Sequence, residues 1–576
     1  MYLADRLLRL EEYVKGHCPA LDAPLPAHTL IFSISDGEAR AEVLHVSGSS
    51  LEQCWKDGLR RLRRRMQLRK LHGEHLRLDW VRKVRSCAFD EFLKLAEQTK
   101  RGYLRYGLAL DQTFTILLTE QEANSRAIYY HESNHDSSRF NPDRFTDWAT
   151  KRFSGQEVRL PAPEATVWAL DTAGVYCAPD GTLYHLPGLG PGKTLNSGFF
   201  TGRREINRFT PELGDDTITG AARWLAAQIR KDGRFIYGWL PCFDKNLTSY
   251  NCLRHASSLY SLLEALEYTG DEALKEPARR ALERMVTEFV REYAPQGKKM
   301  AFLVDLPVSE IKLGGNGVTL LALAKWRDLT GTDEHLPLME LLAQGINFMR
   351  DESNGVFTHV LHAESLALKE QRRVIYYDGE AVFGLLRLYR HTKDPRWLDL
   401  AQKSFDSFLD DARYAQAHDH WLSYATNEIT LYYPQERYFR FGLNNCMGHL
   451  DFVLQRETSY PTLLELMMAT QKMLIRLADL PELQALTRSL DLEKFRTALH
   501  YRANYLLEGF FWPEMSMYFP RQKRTGNTFF LRHHGFRERI DDVQHFISGF
   551  IAYTSMLKED QPEWRPPEDP PWRREP

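Results

Sequence analysis

Five segments between residues 250 and 545 carry the residue types that proton transfer needs. Tyr250, Asn251, Arg254 and His255 form the first, and Asn316 stands alone in the second. Tyr376, Tyr377, Asp378 and Glu380 form the third. His418, Asp419, His420 and Trp421 form the fourth, with Tyr424 and Glu428 beyond them, and Arg537, Arg539, Asp541, Asp542 and His545 form the last. Each lies at the start of a stretch with helical periodicity, where unpaired N–H groups and the helix dipole favour acidic side chains and anionic ligands.

Two chemistries fit these residues. Hydrolysis by two carboxylates needs one protonated acid and one ionised base or nucleophile. Asp378 and Glu380 from one segment, against Asp541 or Asp542 from another, supply the pair. Epimerisation or elimination beside a carbonyl needs a base, an acid on the opposite face and a cation to hold the anion. His255, His545 and Tyr377 are the candidate proton carriers, with Arg254 or Arg539 as the clamp. The expected catalytic set is therefore His255, Asp378, Glu380, Asp541, Asp542 and His545. Tyr250, Arg254, Tyr377, Trp421 and Arg539 are the expected substrate-binding residues. No metal site is expected: His418 and His420, two apart on a helix, point to different faces.

Each residue also has a structural reading. Asp378 and Asp541 fit ordinary N-caps, His255 fits a buried histidine bonded to a carbonyl, and Tyr376-Tyr377 fits packing. Convergence favours chemistry, because independent caps do not require His and Arg beside them.

The elements that must position these residues recur in the sequence. Residues 259–271 read as an apolar-striped helix ending in Thr269-Gly270-Asp271, and residues 382–394 repeat it with Thr392-Lys393-Asp394. A looser copy spans 318–333. Recurrence of one helix–turn unit implies that each unit buries its apolar face against its neighbours. This register sets His255 opposite Asp378. Periodicity predicts helices over 217–230, 253–268, 272–290, 317–329, 335–350, 378–391, 395–410, 420–430, 446–456, 460–477, 484–507 and 541–557, with the region nearly all helical. Short turns alternate with long connections, so up–down helical pairs put the long loops at one end, where binding residues favour presentation. The first and last helices lack other partners, and pairing them closes a ring, an α/α toroid.

Residues 1–215 read differently, as an α+β accessory domain. Strand-like runs at 28–35 and 41–46 flank the turn Asp36-Gly37. A helix follows from Ser50, with Leu51, Cys54, Trp55, Leu59, Leu62 and Met66 on one stripe and a basic run from Arg60 to Lys70 on the other face. Further strands are expected at 114–119, 166–170, 174–177 and 182–186. The loop 187–194 lacks the spacing of a phosphate loop and reads as an interdomain linker.

The chain is thus divided as 1–215, a helical domain 216–558 and a Pro-rich tail 559–576. With 576 residues, 43% apolar and 26% charged, it has globular composition, and a net charge of -2 gives no pull toward nucleic acid. Seven cysteines without a CxxC pair argue against a disulfide framework or structural zinc. No signal peptide or transmembrane stretch is recognised, so a cytoplasmic protein is expected.

On the helix-pair register, residues 217–557 resemble the α/α-toroid superfamily that includes six-hairpin glycosidases, N-acylglucosamine 2-epimerases and the helical domains of glucuronyl C5-epimerases. The resemblance implies a mainly α (α/α)6-like toroid and a carbohydrate-active enzyme, a hydrolase, lyase or epimerase acting on a saccharide without a cofactor. Lanthionine-cyclase-like proteins share the toroid, but their Cys/Cys/His zinc set is not found here. A shared toroid leaves chemistry open. The alternative is a non-catalytic toroid that binds a glycan or a protein within a biosynthetic complex.

Overall fold

A computed structural model of the chain describes residues 1–130, 136–153, 156–189 and 202–559. The expected linker at 187–194 lies mostly, and the tail almost wholly, outside the described residues. In the N-terminal part, α1 (Leu3–His17) precedes the hairpin of β1 (His28–Ser35) and β2 (Glu42–Gly48), turned at Gly37 with φ 82°. Ser50 caps α2 (Leu51–Arg69) by accepting from Gln53 N–H. Then come β3 (His75–Ala88), α3 (Phe89–Gln98), β4 (Gly107–Ala109), β5 (Leu117–Leu118), α4 (Glu120–Ser125), α5 (Pro142–Arg152), β6 (Thr166–Cys177) and β7 (Leu183–Leu186). The strands form one antiparallel sheet in the order β2-β1-β3-β6-β4-β5, with β7 also on β6.

Three expectations about this sheet change. Residues 166–177 are a single strand, because all of β6 is held by the long, unforeseen β3. Only Leu117 and Leu118 of 114–119 are strand; Phe114, at φ 57°, belongs to the preceding turn. β3 escaped notice because charges interrupt its alternation. Arg77 and Asp79 are nonetheless buried, paired with each other at 2.8 Å.

The helical part begins at α6 (Pro211–Ala227), six residues ahead of expectation, where Thr210 caps the helix and Pro211 takes its first position. Residue 215 therefore lies inside this helix. There follow β8 (Gly238–Leu240), β9 (Lys245–Asn246), α7 (Cys252–Thr269), α8 (Lys275–Arg284), β10 (Val290–Tyr293), β11 (Met300–Asp305), β12 (Glu310–Lys312), α9 (Leu313–Thr330) and α10 (Leu336–Phe348). Next come β13 (Val360–His362), β14 (Leu368–Glu370), α11 (Tyr376–Thr392), α12 (Pro395–Leu409), α13 (Ala412–Ala415), α14 (His420–Tyr432), α15 (Glu436–Met447) and α16 (Leu450–Gln455). The chain ends with α17 (Thr462–Ala478), α18 (Leu492–Leu506), α19 (Pro513–Ser516), α20 (Gln522–Thr525), β15 (Glu538–Arg539) and α21 (Ile540–Lys558).

The region is less uniformly helical than its periodicity suggests, since β10 to β14 pair into a sheet within the long connections. Of the helix expected at 446–456 only the short α16 forms, and it is preceded by α15, which the periodicity did not predict. The buried α15 stripe of Tyr438, Phe439, Leu443 and Cys446 is interleaved with Arg437 and Arg440, which obscures the period.

Six helices pack in a closed cycle: α7 on α9, α9 on α11, α11 on α14, α14 on α17, α17 on α21, and α21 back on α7. The closing helix α21 also packs on α6, as the unpartnered ends required. Glycine allows α9 and α11 to approach closely: a Cβ on Gly384 would stand 2.6 Å from the Gly317 carbonyl oxygen. The N-terminal sheet meets the segment between α18 and β15. Ala41 N–H donates to Met517 O at 2.7 Å, and Met517 and Tyr518 share an apolar cluster with Ile31, Val43 and Phe114.

Candidate functional site

The six helices of the cycle bring their N-terminal ends to one buried polar centre. At its heart, Arg254 of α7 reaches Asp541 of α21 at 2.9 Å and donates to the Tyr376 hydroxyl of α11 at 3.0 Å. Arg539 grips the other Asp541 oxygen at 2.7 Å. Burial would push the Asp541 carboxyl up, but Arg254 and Arg539 outweigh it and hold Asp541 below the usual carboxylate range. Asp542 takes Arg537 at 2.8 Å and shares Arg539 at 2.7 Å. Neither aspartate is an N-cap. That place belongs to Arg539, and both aspartates sit in the first turn of α21.

The second feature is a pair of imidazoles. His545 Nδ1 lies 2.8 Å from Glu465 Oε2 of α17, and Tyr424 of α14 donates to the other Glu465 oxygen at 3.0 Å. The carboxylate thus holds the proton on Nδ1 and puts the lone pair on Nε2, which accepts from the Gln544 side-chain amide at 3.1 Å and lies 3.9 Å from Asp541. Burial alone would lower the basicity of His545; Glu465 overcomes it and raises the pKa. The His420 ring of α14 stands 4.9 Å away at 83° to it. His420 Nδ1 is 3.4 Å from Asp419, and its buried Nε2 makes no hydrogen bond among the described residues. Trp421 flanks both rings, at 5.4 Å from His420 and 6.4 Å from His545.

On the α9–α11 side, Glu380 is wholly buried and, among the described residues, neither of its carboxyl oxygens has a hydrogen-bond partner. Burial raises its pKa well above the carboxylate range, and Asp419, Asp541 and Asp378 add to the rise against the pull of Arg254. Space for this carboxyl exists because position 314 is glycine; a Cβ there would overlap Glu380 Oε2. Asp378 accepts from His359 Nε2 at 3.0 Å, while His359 Nδ1 accepts from Arg373 N–H at 2.9 Å. Tyr377 packs beside His359 and is buried. Asp378 too lies in the first helical turn and is not a cap.

His255 and Tyr250 are not part of this centre. His255 Nε2 donates to Ala281 O of α8 at 2.9 Å, and its Nδ1 accepts from the Tyr250 hydroxyl at 2.8 Å. Phe235 and Phe289 close over the ring edge-on, and burial pushes the imidazole down to about 4. With both nitrogens satisfied, His255 ties α7 to α8. Tyr250 completes that tie, accepting from Phe235 N–H at 3.2 Å and lying under Arg234. Asn316 is also occupied, accepting from Leu303 N–H at 2.8 Å. His418 donates to Asn445 O and stacks on His449, facing away from His420.

Glu465 and His359 complete the centre without having been expected there, and His420, placed by the sequence at a helix start but not in the catalytic set, joins them. Glu465 interrupts the apolar run Leu463 to Met468 one turn into a helix of the cycle, which is the trace it leaves in the sequence. His359 leaves none. His420, Glu465 and His545 also offer three buried ligand atoms within 4.8 Å of one another, enough to contact a metal ion. Glu465 already accepts from both Tyr424 and His545, so two of the three are joined in a hydrogen-bonded acid–base pair.

No protein-family model matches the chain, and no curated protein does. Among solved structures it is similar to D-mannose isomerase, at 10% identity over 60% of this chain and 97% of that one, with a TM-score of 0.45. It is similar to cellobiose 2-epimerase from Bacillus thermoamylovorans B4167, at 11% identity over 59% and 99%, TM-score 0.44. It is also similar to an unsaturated glucuronyl hydrolase specific for heparin, at 11% identity over 60% and 98%, TM-score 0.43.

Proposed function

We propose that the chain is a carbohydrate-active enzyme whose C-terminal region is an (α/α)6 toroid, preceded by an α+β accessory domain that ends ahead of α6, and that it epimerises or isomerises a reducing sugar. The observation that carries this reading is the pair His545 and His420, two perpendicular imidazoles 4.9 Å apart, one of them made more basic by Glu465. Two proton carriers at a buried centre suit removal of a proton beside a carbonyl and its return from another direction. His545 Nε2 takes the C2 proton of an open-chain aldose, and the electron pair moves onto the carbonyl oxygen. Arg254 stabilises that oxyanion, and His420 returns a proton to C2 from the opposite face for epimerisation, or to C1 for isomerisation while the O2 proton passes to O1. Tyr376, Tyr377 and Trp421 offer aromatic faces for the C–H surfaces of the saccharide.

A second reading rests on Glu380. A carboxyl kept protonated by burial near the ionised Asp541 has the split pair of acidities that a glycoside hydrolase requires.

The test is incubation in D2O with a panel of reducing sugars, including glucose, mannose, N-acetylglucosamine and cellobiose, followed by proton NMR. Loss of the C2 proton signal that depends on both His545 and His420 is expected. Cleavage of glycosides without any C2 exchange would replace the first reading by the second. Absence of both activities would leave the glycan- or protein-binding toroid.

A further inference from the structure

Away from this centre, a cavity of about 720 Å3 opens between the N-terminal sheet and the segment that leads into β15. Its walls come from the β1–β2 turn, β2, α2, the end of α4, α5 and residues 244 and 520–521. Of the sixteen residues that line it, seven are cationic and four acidic, a surplus of three positive charges.

The surplus is concentrated on particular residues. Among the described residues Arg40 is held by backbone carbonyls alone, those of Ser125, Tyr518 and Cys242 at 2.8–3.0 Å, with no carboxylate paired to it. The Arg126 guanidinium makes neither hydrogen bond nor ion pair among the described residues. Arg65 and Arg69 of α2 share the single carboxylate of Glu42, at 2.7 and 3.0 Å. Crowding has an electrostatic consequence: burial, and after it Arg126, draw Arg40 down to about 10. Guanidinium groups that repel one another around a hollow, each with donors to spare, form a site completed by an anion. The volume falls within the range of roughly 300–1,000 Å3 typical of small-ligand pockets.

We propose that this cavity binds a small organic anion carrying two or more phosphate or sulfate groups, separately from whatever reacts at the toroid centre. Planar guanidinium forks match the paired oxygens of such groups, and a charge of two or three offsets the surplus. The basic run on α2 has, in Arg65 and Arg69, a defined place in this site and not only a solvated face.

Isothermal titration of the full chain with inorganic pyrophosphate and with a trisulfated disaccharide tests the proposal and separates the two ester types. At least one probe is expected to bind, more weakly as salt is raised. Arg126→Ala removes no internal bond, so the variant folds, and it should weaken binding by roughly tenfold or more. Arg69→Ala should also weaken it. Arg60→Ala, on an exposed turn of the same helix and paired with Asp57, should not change it. Failure of both probes to bind, or wild-type affinity in both Arg126→Ala and Arg69→Ala, overturns the site whatever the enzyme's activity proves to be.

Discussion

His545 on α21 and Glu465 on α17 are joined by a 2.8 Å hydrogen bond that sets which nitrogen of the histidine carries the lone pair. The bond crosses two neighbouring helices of the cycle, so the tautomer of one residue depends on the packing of the whole ring. It also makes the imidazole a stronger base than burial alone would allow.

His545→Asn and His420→Asn should each lower kcat by roughly 10²–10⁴-fold, the usual contribution of a general acid or base. Glu465→Gln keeps an acceptor but removes the charge that raises the His545 pKa. Since His545 acts as a base when neutral, the acidic limb of the pH–rate profile should move to lower pH in this variant. An unmoved limb would detach Glu465 from the mechanism.

The same pair makes a stability prediction. A histidine whose folded pKa is raised contributes stability that is fully present below its unfolded pKa and is lost as pH rises through the folded value. The stability difference between wild type and Glu465→Gln should therefore be larger at pH 5 than at pH 9, as read by urea unfolding. A difference that grows with pH would contradict the assignment.

Glu380→Gln separates the two functional readings. The wild-type carboxyl stays protonated when folded and ionises when unfolded, so its burial costs stability as pH rises above the ordinary carboxylate range. The amide variant should be more stable than wild type at neutral pH, with the gain shrinking below pH 4. Under the epimerase reading C2 exchange persists in this variant; under the hydrolase reading glycoside cleavage is lost.

Arg254→Met should destabilise the fold by about 3 kcal/mol, at the lower end of the cost of breaking a buried ion pair, because Arg539 still holds Asp541. Denaturant midpoints at unchanged m-value give the measurement. A loss below about 1 kcal/mol would show that solvent reaches Asp541 freely.

His255→Ala should cost stability and leave the chemistry intact. It opens a space between Phe235 and Phe289 and strips a buried partner from Ala281 O, a combined loss of about 2–4 kcal/mol. Because the folded imidazole resists protonation down to about 4, wild-type stability should fall as pH drops from about 6.5 toward that value, and this part of the acid sensitivity should vanish in the variant. Lost turnover in a variant of unchanged stability would return His255 to the reaction.

Local patterns in the sequence placed particular turns and helix starts. The Asp36-Gly37 hairpin, the Ser50 cap and the recurrent Thr-x-Asp helix ends are decided by residues adjacent in the chain, and so is the crowding of polar residues at helix beginnings. That was enough to set Arg254, Asp378, Glu380, Asp541 and His545 at helix beginnings as candidates. Which way a side chain points was decided only by tertiary packing. Arg254 and His255 are neighbours, yet successive helical residues differ by about 100° around the axis. One therefore enters the centre while the other faces α8. The register repeat locates helix starts along the chain but carries no information about rotation. Glu465 and His359 became visible only when helices and loops distant in sequence met, because a lone polar residue in an apolar run acquires a role from the partners that bury it. β3 was hidden for the same reason: Arg77 and Asp79 break its alternation in sequence and neutralise each other in space.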